Sequence, residues 1–247
     1  MKNMKSLCFS FLTACFLLLT CTANAQQTAT VAQTLSEKEK SIISISSLTS
    51  RGDLVRLKPA LTTGLESGLT INQIKEVIVH LYAYCGFPRS IRGLQTFMEV
   101  LDERKAKGIV DLKGAEPSPI DDKDSKYQRG KRILGILTQA KQADTLTGYS
   151  AFAPIIDKFL KEHLFADIFE RDVLTYGERE LATISVLTSI GGVEPMLESH
   201  LSISLNIGWT PEQLKQFIEA IRPSVGEGDV KSAQAVLEKV LASRKSK

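Results

Sequence analysis

Residues 35–101 and 174–241 are two versions of one segment, and that duplication constrains the fold more than any other feature of the chain. The first opens LSEKEKSIISISSLTS and the second LTYGERELATISVLTS. With one extra residue allowed at Gly191-Gly192, GLTINQIK pairs with GWTPEQLK, Gly86 with Gly226, and Val100-Leu101 with Val240-Leu241. A repeat of this length cannot bury its apolar face alone, so the copies must pack on one another. Duplication also lets functional side chains survive in one copy while the other loses them. The differences between the copies therefore indicate where chemistry could lie.

The first residues read as a targeting segment rather than as fold. Lys2 and Lys5 precede the uncharged apolar run Leu7 to Thr20, and Ala23-Asn24-Ala25 follows, the order of a secretory leader cleaved after Ala25. The run is short for a bilayer span. Cys21 hints at a lipoprotein site, but Thr20 suits that cleavage poorly. The expected location is the periplasm or the exterior, with no membrane insertion after cleavage. Of the four cysteines, Cys8, Cys15 and Cys21 fall in this leader, which leaves Cys85 unpaired and excludes an internal disulfide. Removing Lys2 and Lys5 takes the formal net charge from +3 to +1. A near-neutral chain with 6% aromatic residues gives no basis for a nucleic-acid partner.

Periodicity predicts an all-α fold. Ser36 and Glu39 form a capping box ahead of Ile42, Ile45 and Leu48. Thr70 and Gln73 repeat that signal before Ile74, Val77, Ile78 and Leu81, and Thr210, Pro211 and Gln213 do so in the second copy. Gly86-Phe87-Pro88 should break the helix, with a further one carrying Ile91, Leu94, Phe97-Met98 and Leu101 inward. Gly108 to Lys126 reads as an exposed, mixed-charge loop. Beyond it, Ile133, Leu134, Leu137, Ile155-Ile156, Phe159-Leu160, Phe165 and Phe169 predict connecting helices packed on both copies. No alternating run suggests a strand. The division is a leader at 1–25, a first repeat at 26–107, a loop and connecting helices at 108–165, and a second repeat at 166–247.

Four segments, HLYAYCGFPRSIRG (80–93), ADIFERDVL (166–174), GERELATISVLTS (177–189) and ESHLSISLNIGWTPEQL (198–214), resemble the carboxymuconolactone decarboxylase family. That family shares its helical fold with the alkylhydroperoxidase D proteins. The resemblance implies two fused repeats of this fold and assembly into rings of subunits, commonly trimers of double-domain chains. The peroxidase branch places a glutamate, a Cys-x-x-Cys pair and a histidine four residues after the second cysteine. Carried onto the second copy, the histidine is His200, the thiols become Val193 and Met196, and Glu180 lies within one residue of the glutamate position. The first copy has Ser41 opposite Glu180, Asp53 and Arg56 for the thiols, and Ala60 for the histidine. Neither copy holds the dithiol, in which one sulfur attacks and its neighbour resolves.

The decarboxylase branch, as the resemblance implies, uses neither dithiol, metal nor organic cofactor, and acts on a small carboxylated lactone. Its chemistry needs a proton donor to carbon and a cation or donors for carboxylate and enolate. His200 suits proton transfer, Glu180 could orient it, and Arg89 could grip a carboxylate. The second copy keeps Glu180 and His200, whereas the first keeps the turn Tyr84-Cys85-Gly86-Phe87-Pro88-Arg89. One composite pocket, within a chain or between neighbours, would join them, with Arg89, Tyr84 and His80 binding substrate.

Plainer readings stand beside each assignment. His200 lies among Leu197, Leu201 and Leu205 and could be a buried structural histidine. Glu180 could complement a helix dipole in a first turn, and Glu76 and His80, four apart, read as a surface pair. Arg89 and Arg92 could be ordinary exposed residues at a helix start. His163 looks incidental, and Trp209 reads as a packing anchor. Three functions stay open: a cofactor-free lyase or isomerase, a peroxide-reducing antioxidant protein acting through Cys85, and a non-catalytic scaffold. Export argues against the role of the cytoplasmic decarboxylases, whose aromatic-acid intermediates arise inside the cell.

Overall fold

Capping chemistry sets where the helices begin, and it does so identically in the two copies. In the computed structural model, which describes residues 34–245, α1 (Glu37–Arg51) starts from Ser36, whose side chain accepts from the Glu39 amide while Glu39 accepts from the Ser36 amide. Thr175 and Glu178 make the same reciprocal pair at the start of α7 (Tyr176–Ile190). Thr70 with Gln73 opens α3 (Ile71–Ala106), and Thr210 with Gln213 opens α9 (Pro211–Ile221). Each box satisfies amide groups that the first turn leaves without carbonyl partners. The expected leader and its three cysteines lie outside the described residues.

The remaining elements complete two series of helices in matching order. Between α1 and α3 stands α2 (Leu54–Glu66), and α8 (Glu194–Asn206) takes the corresponding place after α7. Gly86, at φ 80° and ψ 160°, interrupts α3 as its sequence suggests. The second copy breaks at the corresponding point with a 3₁₀ turn, Arg222–Ser224, before α10 (Glu227–Lys245). The extra residue of the second copy falls in the α7–α8 turn, where Gly191 and Gly192 both take positive φ (65° and 70°). A side chain is strained there, so two glycines tolerate the longer turn.

α1 and α7 pack against each other at the centre. Ile42, Ile43, Ile45, Leu181, Ile184 and Val186 are buried there, and Ser189 donates to the Ser47 hydroxyl across the contact at 2.8 Å. Every residue of α7 from Arg179 to Ser189 is buried. Burial of one large aliphatic side chain contributes about 1.5–3 kcal/mol, so this core is the main source of stability. A second, smaller cluster joins Ile133 and Leu137 of α4 (Lys126–Thr138) to Leu164, Phe165, Ile168, Phe169 and Ile203. No strand occurs among the described residues, and the fold is all-α. None of the described helices is long and apolar enough to cross a membrane.

Two stretches depart from the sequence expectation. Beyond Gly86 the buried face of α3 is Ser90, Gly93, Phe97 and Val100, which turns Ile91 and Met98 toward solvent. In the connecting region, Ile155, Ile156 and Phe159 are exposed. There α5 (Gly148–Phe152) and α6 (Pro154–Phe159) run into a π-helical turn, Leu160–Ile168, which buries Lys161 beside Leu164, Phe165 and Ile168. Asp157 and Lys161 are buried one turn apart and bonded to each other, with the Tyr127 hydroxyl completing the set. The inward positions went to an ion pair, so the apolar side chains faced out. The 108–126 loop is pinned rather than free: the Ile71 and Asn72 amides donate to Leu112 and Lys113, and Arg104 holds Asp111.

α4 meets the π-helical turn at Gly130, where an added Cβ would stand 1.8 Å from the Lys161 carbonyl oxygen. The neighbour is backbone and cannot swing aside. Gly130→Ala should therefore lower stability by about 1–3 kcal/mol, read as a lower urea midpoint, whereas Gly228→Ala, with open space around it, should not.

Candidate functional site

The polar groups of α7 are met by α3 from the first copy and α8 from the second. Glu180 is fully buried, and its Oε2 lies 2.9 Å from His200 Nδ1. The His200 side chain keeps 14% of its surface accessible, so it is the member of the pair that solvent reaches. The Tyr84 ring stands edge-on to it, with centroids 6.2 Å apart. One turn earlier on α3, His80 is fully buried, its Nε2 2.8 Å from the Thr183 hydroxyl and its ring against those of Tyr84 and Phe169. Thr183 donates to the Arg179 carbonyl and lies 3.2 Å from the Tyr84 hydroxyl.

A turn earlier again sits Glu76, which is buried and does not pair with His80. It accepts two bonds from Arg171 Nε and Nη2, at 2.9 and 3.0 Å, and one from Arg179 Nη2 at 2.8 Å. The surface-pair reading of Glu76 and His80 is thus overturned, because residues 169–179 of the second copy cover this face of α3. The dipole reading of Glu180 fails as well: Glu178 serves the helix start, and Glu180 lies beyond the first turn. Burial pushes Glu76 up, but the two guanidinium groups outweigh it and hold the carboxyl below its ordinary range. Burial, reinforced by the charge of Arg179, holds His80 well below the usual imidazole value of 6.5.

The sequence candidates divide. His80, Tyr84, Glu180 and His200 come together, and their elements belong to different copies. Arg89 does not join them: it is exposed, and its guanidinium lies over Gly52 at the end of α1. Cys85 follows Tyr84 by about 100° around the helix, so it faces another way. It is half-buried, bonds to the Leu81 carbonyl at 3.3 Å, and burial pushes its thiol up to about 11. Val193 precedes α8 and Met196, half-exposed, lies in its first turn, so the peptide leading to His200 carries no sulfur nucleophile. Among the described residues no cluster of three or more His, Cys, Asp or Glu side chains could hold a metal ion.

Arg179, Thr183 and Arg171 were missed by the sequence reading. Arg179 could have been noticed as the one cation inside GERELATISVLTS, one turn before Thr183. It is fully buried, and its Nε and Nη1 have no hydrogen-bond partner; neither do His80 Nδ1 and Glu180 Oε1. Each such buried group costs about 1–3 kcal/mol when left unpaired.

Two outcomes follow for solution behaviour. The unfolded chain takes up a proton at His80 below about pH 6.5 that the folded chain refuses, so stability should fall as pH drops through that value. Glu76 adds a further loss below its ordinary 4.5, where the unfolded carboxyl protonates first. Urea unfolding across pH should show both limbs in the wild type, and His80→Gln should remove the upper one. Separately, alkylation of Cys85 should rise with pH toward about 11 rather than level off near the ordinary thiol value of 9, and mass spectrometry should find the sulfur reduced after brief peroxide exposure.

Comparison with known proteins agrees with this architecture. No curated protein matches the chain. A family model does match, over residues 19–97, and its description is the carboxymuconolactone decarboxylase family. The match lies on the first copy, which supplies His80 and Tyr84, while Glu180 and His200 lie beyond it. The all-α fold suits the helical architecture of that family, to which residues 19–97 of this chain are similar.

Proposed function

We propose that the protein catalyses cofactor-free decarboxylation, with movement of a double bond, on a small carboxylated lactone or keto acid. The observation that carries this reading is the His200–Glu180 pair: a partly accessible imidazole held through Nδ1 by a fully buried carboxylate. Glu180 fixes the ring orientation and leaves Nε2 to face a substrate. In the reaction, the bond from the substrate to its carboxylate breaks and carbon dioxide leaves. The electron pair passes into the conjugated carbonyl as an enolate, and the far carbon takes a proton from Nε2 of the protonated ring. His200 recovers that proton from water. Because the carbonyl of the substrate accepts the electrons, the scheme calls for no cofactor.

The antioxidant alternative has less support, since a peroxide-reducing thiol needs a depressed pKa and burial drives Cys85 the other way. Export to the periplasm, and a trimer of chains, are further parts of the proposal that follow from the leader-like start and the family resemblance.

The test is carbon dioxide release over a panel of unsaturated lactone carboxylates and 3-oxo acids. His200→Ala should lose at least about 100-fold in turnover, the usual scale for a removed general acid, with its helical circular dichroism unchanged. Glu180→Gln should lose about 10–100-fold, the range for an orienting partner, and Cys85→Ser should keep full activity. Full activity in His200→Ala would end this reading. A wild-type protein inert on the whole panel would favour the scaffold.

A further inference from the structure

We infer that the second copy carries, at the turn from α7 to α8, a binding site for a small organic cation of the guanidinium type. The argument compares one place in the two copies. In the first, the guanidinium of Arg89 fills the space beside Gly52, where an added Cβ would stand 1.5 Å from its Nη1. In the second, Gly191-Gly192 take the place of Gly52, and Asp229 that of Arg89. Nothing lies within 4 Å of a Cβ added at either glycine. The first copy serves this position with a cation of its own, and the second does not.

A cavity of about 20 Å³ stands there, bordered by Thr188, Gly191, Glu194, Asp229 and Ser232 and by apolar side chains that include Leu197. That volume admits one small group. In the first copy, Leu54 stands in place of Glu194, Arg89 of Asp229 and Arg92 of Ser232. The formal charge of these three positions thus goes from +2 to −2 between the copies. Arg51 answers part of it, donating Nη1 to Asp229 Oδ2 at 2.9 Å and to the Ser189 carbonyl. Glu194 accepts from the Ser232 hydroxyl at 3.2 Å and has no ion pair among the described residues. One negative charge is left over, and it lies at the C-terminal end of α7, where the helix dipole adds to it.

Thr188 points to a ligand independently. On α7, the hydroxyls of Thr183, Ser185 and Ser189 each donate to the carbonyl four residues back. Thr188 does not: it is 4% exposed, and its hydroxyl has no partner. A buried hydroxyl is costly to leave so, and an N–H donor in the cavity would end that deficit. Its counterpart Thr49 is also unpartnered, but only in the second copy do carboxylates border the same cavity. The flat guanidinium head offers several N–H donors in one plane, enough for a hydroxyl and two carboxylates together. A hard metal ion would ask for about six or more oxygens. None of the residues bordering the cavity belongs to the group around His200, so the site stands apart from the acid–base reading.

The test is NMR titration of the full folded protein with methylguanidinium chloride at fixed ionic strength. Tetramethylammonium chloride serves as a cation without N–H donors. Methylguanidinium should give saturable shifts at the amides of Gly191, Gly192 and Ser232, with a Kd of about 1–10 mM, the scale of a small ligand held by few contacts. Tetramethylammonium should bind at least about fivefold more weakly. Glu194→Gln and Asp229→Asn should each weaken binding about threefold, as for exposed ion pairs, and the double variant about tenfold. Thr188→Val should also weaken it, while raising the urea midpoint of the free protein because an unpaired hydroxyl is gone. His200→Ala should bind methylguanidinium as the wild type does, which keeps this result separate from any loss of turnover. No saturation in the wild type at about 50 mM, a scale that already allows very weak contacts, would overturn the assignment. So would equal binding of tetramethylammonium, or full affinity in the folded double variant.

Discussion

The constraint on which the site depends is the complete burial of α7 from Arg179 to Ser189. A helix covered on all sides cannot leave its polar side chains to water, yet this one carries Arg179, Glu180 and Thr183 in its first half. Each must find a partner on a neighbouring helix. Glu76 and the Arg171 carbonyl serve Arg179, His80 serves Thr183, and His200 serves Glu180. Glu76 and His80 supply their contacts from successive turns of α3, whereas His200 supplies its contact from α8. A buried ion pair of this kind is a weak source of stability, because desolvation offsets the attraction. Its role here is better read as fixing the register of α3 against α7.

The two copies have divided the work along the same lines. At the place of Glu180 the first copy has Ser41, buried and bonded to Ser67, and at the place of His200 it has Ala60, packed on the core. Small residues close the first copy where the second holds its acid and imidazole. In return, the third helix of the first copy brings Glu76, His80 and Tyr84, whereas the second copy places Gln216 and Ala220 at the first two of those positions. Gln216 there accepts from the Leu35 amide at 2.9 Å, an ordinary capping contact between copies. The Glu180–His200 pair and the His80–Tyr84 pair thus come from different copies.

Much of this was legible from residues alone. The capping boxes at Ser36, Thr70 and Thr210 were readable because their chemistry is local and needs no tertiary partner. The repeat alignment brought Glu180 and His200 forward, and Tyr84 and His80 followed from the preserved turn of the first copy. Arg89 was misassigned because proximity in sequence to the Gly-Pro turn says nothing about direction: past Gly86 the helix is turned so that Arg89 reaches Gly52. Arg179 escaped notice because its role depends on Glu76, more than a hundred residues away. The outward turn of Ile155, Ile156 and Phe159 was hidden for a related reason: periodicity shows which residues share a face, but not that Asp157 and Lys161 would claim the inside as a pair.

Gly86 gives the first copy a freedom that its continuous appearance conceals. With its backbone left-handed at that one residue, the helical phase of positions 71–85 is not inherited by positions 87–106. Substitutions on the downstream arm, which packs through Phe97 and Val100, can drift in size or rotation without turning the imidazole of His80 or the phenol of Tyr84 away from their partners. The glycine acts as a mechanical clutch, and evolution can retune the outer half of this helix while the half that carries His80 and Tyr84 stays indexed to α7.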